Sequence, residues 1–163
     1  MVHFSGVSLG DRRLGICYNR GMTGGLRISL PLPPGVNNQY ATVNGRRVLS
    51  AEARRWKTLV SEQMSEMRFS GALPEVVIST LRSGYLSLFI DFYFATPMKR
   101  DLDGGLKIAQ DAICENLGIN DNRVVDIHLV KRIDPLRPRI DLQLENIPED
   151  EWQWDEEYHY VSK

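Results

Sequence analysis

The stretch Tyr85–Phe94 alternates in character: Leu86, Leu88, Ile90, Phe92 and Phe94 fall on one face, and Ser87, Asp91 and Tyr93 fall on the other. A period of two sustained over ten residues specifies a strand with one buried side, and Pro97 marks its end. An apolar face of that length must be covered by other elements, so the chain has to build a sheet with something packed against it. Its 163 residues supply material for one such core rather than two. The same stretch is about half of what a membrane-crossing helix needs.

The remaining pattern supplies the cover. Leu26, Ile28 and Leu30 alternate up to Pro31, Pro33 and Pro34 and read as a short first strand. Ser50 is placed to cap a helix over residues 50–68, with Trp56, Leu59, Val60, Met64 and Met67 as its apolar stripe. Arg54, Arg55 and Lys57 point away from that stripe. A second helix is expected over residues 103–117, with Leu106, Ala109, Ile113 and Leu117 inward and Gly118 as a left-handed stop. Residues 124–132 and 139–145 alternate and, joined at Asp134-Pro135, read as a hairpin. Residues 74–81 read as a further short strand. The expected fold is α+β: a single mixed sheet with two helices on one face, in the order β-α-β-α-β-β. Residues 1–24, glycine-rich and without periodicity, read as an arm, 25–147 as the folded domain, and 148–163 as an acidic, aromatic tail.

A net charge of -1 hides a strong asymmetry. Residues 1–60 hold nine Lys/Arg against two Asp/Glu, residues 101–147 six against nine, and residues 148–163 one against six. Such a division suits a surface that meets phosphate and another that concentrates carboxylates, although two solvated faces of opposite sign give the same counts. Cys17 and Cys114 form no C-x-x-C pair, which argues against a disulfide scaffold or a structural zinc site. With no uninterrupted apolar run at the N-terminus, the expected setting is cytoplasmic, with no membrane partner.

Carboxylates gather where the main strand gives way to the second helix. In Lys99-Arg100-Asp101-Leu102-Asp103, two acids lie two residues apart, sharing a face if the chain is extended there. Asp121 follows the helix and can return toward them, and Lys107 is one helical turn beyond Asp103. Carboxylate oxygens with no His or Cys cluster suit a hard cation of the Mg²⁺ kind, and an ammonium beside it suits phosphodiester hydrolysis. Spacing alone favours a plainer reading: acids at the positive end of a helix, an i,i+4 ion pair between Asp103 and Lys107, and Asp121 in a turn with Asn120 and Asn122. Neither a G-x-x-x-x-G-K, an H-E-x-x-H nor a G-x-S-x-G is present.

The string from Lys99 to Asp103, with Leu106-Lys107, Asp111-Ala112, Asn120-Asp121-Asn122-Arg123-Val124-Val125-Asp126 and Lys131, resembles the signature of the RusA family of Holliday junction resolvases. Leu30-Pro31-Leu32-Pro33-Pro34, then Asn37-Asn38 and Val48-Leu49-Ser50, is similar to that family's first strand, asparagine loop and first helix. The resemblance spans about residues 26–145. It implies a Mg²⁺-dependent endonuclease, with Mn²⁺ as a substitute ion, acting as a homodimer on four-way junction DNA by paired symmetric nicks in recombination and repair. Matched position by position, Asp101, Asp103 and Asp121 correspond to its metal-binding acids and Lys107 to its essential lysine. A two-fold dimer also suits the near two-fold symmetry of a junction.

Expected phosphate contacts are Arg46, Arg47, Arg54, Arg55, Lys57, Lys99 and Arg100. Arg46 and Arg47 follow the turn pair Asn44-Gly45 and are expected to project from a hairpin-like loop. Asn37 and Asn38 either bond junction strands or simply make the turn after Pro34. The chain departs from the family in having Gly104 where an Asn is usual, and residues 1–21 precede Met22, near which family members tend to begin. The Gly104 departure keeps a second reading open, a dimeric junction-binding module with weakened catalysis. A generic Mg²⁺ nuclease acting on flaps or single strands is a third.

Overall fold

A computed structural model describes residues 25–98 and 101–147 of the chain; the arm 1–24, Lys99, Arg100 and the tail 148–163 lie outside the described residues. The strands are β1 (Gly25–Pro31), β2 (Tyr40–Val43), β3 (Arg46–Leu49), β4 (Tyr85–Phe94), β5 (Val124–Ile133) and β6 (Arg139–Ile147). The helices are α1 (Ala51–Phe69), α2 (Glu75–Ser83) and α3 (Leu106–Leu117), with single 3-10 turns at Val36–Asn38 and Asp121–Arg123. The fold is α+β around a mixed four-stranded sheet in the order β1-β6-β4-β5, with β2 and β3 as a separate two-stranded ribbon.

β4 occupies an interior position because both of its edges are paired. It runs parallel to β5, with Phe94 opposite Ile133, and antiparallel to β6, with Leu88 opposite Leu144. One face of the sheet carries Leu26, Ile28, Leu30, Leu88, Ile90, Phe92, Ile140, Leu142 and Leu144, all buried, and meets Val60 and Met64 of α1 and Ala109, Ile113 and Leu117 of α3. The Trp56 indole donates to the Pro31 carbonyl at 3.0 Å, tying α1 to the end of β1. The other face is polar and cross-linked: Arg132 Nε meets Asp91 Oδ2 at 2.6 Å, and the Arg139 guanidinium lies 3.8 Å from the Tyr93 ring centroid. His128 is half-buried there and stacks on Phe89 with ring centroids 4.7 Å apart.

Locally determined features match the sequence reading. The Ser50 hydroxyl accepts from Ala53 N at 3.0 Å and so caps α1, and Gly118 ends α3 at φ 66°. Asn44 and Gly45 have φ of 51° and 75°, the paired positive values of the two-residue turn that matches strand twist, so Arg46 and Arg47 do leave a hairpin.

Four expectations are corrected. Residues 74–81 fall in helix α2 rather than a strand: the Val-Val-Ile run is β-prone, but Ile78 and Leu81, three apart, are both buried, and that spacing puts them on one helical face. The helices therefore number three among the described residues. β5 and β6 are not a hairpin, since β4 lies between them; the link crosses the end of β4, where Asp134 N donates to the Phe94 carbonyl at 2.9 Å. α3 begins at Leu106 because residues 102–105 form turns, and Leu59 stands outside the α1 stripe, exposed.

Candidate active site

The Asp101-Leu102-Asp103-Gly104-Gly105 segment is a turn closed by its own backbone: Gly104 N donates to Asp101 O at 3.3 Å, and Leu106 N to Asp103 O at 3.0 Å. Neither acid caps α3, whose first turn has no side-chain cap. Both carboxylates are exposed, with no hydrogen bond or ion pair to any described residue. Close backbone packing fixes where the turn sits, because a Cβ at Gly105 would lie 2.4 Å from Pro33 Cγ and 3.1 Å from the Phe92 ring.

Lys107 extends from the first turn of α3 and does not bond Asp103. Its ammonium sits between two other acids, 2.7 Å from Asp111 Oδ1 and 2.6 Å from Asp121 Oδ2. Asp121 reaches it because the chain folds back along the helix after Gly118, where Gln110 Nε2 donates to the Asp121 carbonyl at 3.1 Å. The bonds from Asp111 and then Asp121 hold the Lys107 pKa above its usual range, and Lys107 in turn holds the Asp121 carboxyl below its own. Both groups are therefore charged at neutral pH. Cys114, on the same helix, offers no competing nucleophile, since burial pushes its thiol up to about 11.

For a divalent ion the donor chemistry is suitable, since carboxylate oxygens are the ligands a hard cation takes. Among the described residues, no three His, Cys, Asp or Glu side chains form a metal-holding group. Asp101 and Asp103 stand before α3 and Asp121 after it, and of these three Lys107 bonds only Asp121. Asp101, Asp103 and Asp121 are thus not gathered into one such group in this structure.

Two residues of this region were not singled out from sequence as site residues. Gln39 is 2 % exposed, and its Nε2 donates to the Pro34 carbonyl at 3.0 Å and to the Gly104 carbonyl at 2.9 Å, joining the asparagine loop to the acidic turn. No periodicity signals it. Asp111 shares Lys107, and its i,i+4 spacing was the available clue. Between the loop and the turn lies a cavity of about 250 Å³, walled by Leu32, Pro33, Phe92 and Phe94 and rimmed by Asn37, Asn38 and Asp101.

Of the basic residues, Arg46, Arg47, Arg54 and Arg55 are exposed. Arg47 lies over the Tyr40 ring at 4.0 Å, and Arg54 Nη1 donates to Leu49 O at 2.5 Å, so hairpin and helix start are joined. Lys57 differs from expectation: it points to α3, its Nζ 2.5 Å from Glu115 Oε2, and its side chain is 22 % exposed. Asn37 and Asn38 make the 3-10 turn after Gly35, and their side-chain amides bond no described residue.

The family model for endodeoxyribonuclease RusA matches residues 31–145, which take in only Pro31 of β1 and then every element from the asparagine loop to β6 apart from the last two residues of β6. No curated protein matches the chain.

Proposed function

Because the chain belongs to the RusA endodeoxyribonuclease family, a family of Holliday junction resolving endonucleases, we propose that it cuts four-way DNA junctions by paired symmetric nicks, with Mg²⁺ as its ion and as a homodimer. Nucleases of this family depend on a divalent metal. In this reading Asp101, Asp103 and Asp121 hold the ion, which when bound supplies positive charge against the phosphate and acidifies water. Lys107 places its ammonium against the charge that develops on the phosphate or the leaving oxygen. Asp111 is a positioning residue that keeps Lys107 charged and aimed.

The single observation that carries this reading is the Lys107 ammonium, seated between Asp111 and Asp121 one turn after two exposed carboxylates that have no partner among the described residues. Arg46, Arg47, Arg54 and Arg55 supply exposed phosphate contacts; Lys99 and Arg100, adjoining Asp101, belong to the same proposal. A second copy has a surface to meet. β5 pairs on one side only among the described residues, and Ile127, Val130 and Ile133 along it are 40–47 % exposed.

The test sets the protein against a four-way junction, a flap and a linear duplex, with Mg²⁺ or EDTA, beside Asp103→Asn. Symmetric nicks confined to the junction and abolished by EDTA or Asp103→Asn are expected. Tight junction binding without nicks would replace the enzyme by a binding module, and preferential cutting of the flap would replace the substrate.

A further inference from the structure

We propose that the 250 Å³ cavity beside Asp101 is a subsite for one unstacked nucleobase of the DNA strand being cut. The inference rests on the nuclease reading above and adds a second point of contact to it.

Position is the first argument. Asp101 is at once a candidate ion ligand and part of the cavity rim, so a strand whose phosphate meets the acids must pass the opening. Size is the second. Pockets for drug-sized ligands occupy roughly 300–1,000 Å³, and this one falls below that range, enough for a planar ring but not for a base with its sugar and phosphate. Chemistry is the third. The lining is mixed: Leu32, Pro33, Phe92 and Phe94 supply apolar surface, and the exposed Asn37 and Asn38 supply amides without partners among the described residues. A base matches that division, having apolar faces and an edge of donors and acceptors which a carboxamide can pair. A phosphate does not, because it would meet the Asp101 carboxylate and no basic side chain among the described lining residues.

The cavity is held in shape before any ligand arrives. Gln39 ties Pro34 to Gly104 across it, the Ser50 hydroxyl donates to Asn38 O at 2.6 Å, and Gly105 packs against Pro33 and Phe92. A preformed cavity lowers the ordering cost of capture. Removing a base from a stack costs least where pairing is already broken, and a junction's exchange point offers such a place. Capture there would set the neighbouring phosphate at the acids, giving cleavage a dependence on local base identity.

The experiment places 2-aminopurine, which brightens when unstacked, at successive positions around the centre of an immobile junction. Wild type, Gly35→Phe and an Asn37→Ala/Asn38→Ala double variant are each added to saturation in EDTA. Gly35 has φ -63° and nothing within 4 Å of a Cβ, so a side chain there narrows the cavity without backbone strain. A several-fold rise is expected at one position flanking the cut phosphate, abolished by Gly35→Phe and reduced with the double variant. No rise at any position for wild type, or a rise that survives both variants, overturns the subsite. Should Gly35→Phe not fold, the double variant decides alone. Junction cutting by wild type in Mg²⁺ is scored separately: its absence defeats the nuclease reading, whereas cutting without the fluorescence rise defeats only the subsite.

Discussion

Gln39→Leu is the substitution that most directly probes how the site is assembled. Leu keeps a side chain of similar bulk but removes the Nε2 donor, leaving the Pro34 and Gly104 carbonyls without the bonds of 3.0 and 2.9 Å. A buried polar group left unsatisfied costs about 1–3 kcal/mol. Pro34 is buried and Gly104 half-buried, so water can partly replace the second bond but not the first, and the combined loss should be about 2–3 kcal/mol. For a chain of this size each kcal/mol moves the midpoint by about 2–4 °C, giving a fall of roughly 4–12 °C in thermal unfolding. Because the same side chain registers the asparagine loop on the acidic turn, junction cleavage should fall about 10-fold or more at a temperature where the variant is fully folded. Gln39→Glu should be worse than Leu at pH 8, since it sets a carboxylate against two carbonyls, and should partly recover as acid protonates it. A Gln39→Leu protein that melts within about 1 °C of wild type and cuts within a factor of two would refute the coupling.

Four further outcomes are expected. Arg46→Ala with Arg47→Ala should weaken junction binding and flatten the dependence of log K on log salt by about 1.8, near 0.9 for each phosphate no longer neutralised; an unchanged slope in a binding titration removes them from the interface. Lys107 has its pKa raised above 10.5, so its contribution to stability is complete below that pH and lost only as pH rises through the folded value; Asp121, lowered from 3.8, contributes above its ordinary value and loses that contribution as pH falls through the folded one. The pH–rate profile should therefore show no alkaline limb from Lys107 below about pH 10, and a limb near pH 8–9 that shifts in Lys107→Arg contradicts the ion-pair account. Gly104→Asn should be tolerated, since a Cβ there meets only Asp101 O at 3.4 Å, while Gly105→Ala drives a Cβ into Pro33 and should cost about 1–3 kcal/mol in a denaturant titration; equal effects of the two would refute this packing. Val130→Lys with Ile133→Lys should convert a dimer to monomer in sedimentation, and a dimer that persists places the interface away from β5.

Several features were legible because neighbouring residues decide them. The alternation at Tyr85–Phe94, the Ser50 cap, the Asn44-Gly45 turn and the Gly118 stop all depend on side-chain period or on an allowed φ. The acids and Lys107 were equally visible as chemistry. Their partners were not: Lys107 bonds Asp111 and Asp121 rather than Asp103, and Lys57 turns to Glu115, 58 residues along the chain.

The amino-acid order by itself determined where most strands and helices begin, which faces are apolar, and which oxygen and ammonium groups are available for phosphate chemistry. Tertiary structure alone decided that β4 enters between β5 and β6, that residues 75–83 coil instead of extending, and that Gln39 fastens one loop to another. The physical reason is range. Local geometry follows from dihedral preference and periodicity within a few residues, whereas strand order and buried hydrogen bonds are settled only when distant segments compete to cover one apolar face and leave no polar group unsatisfied.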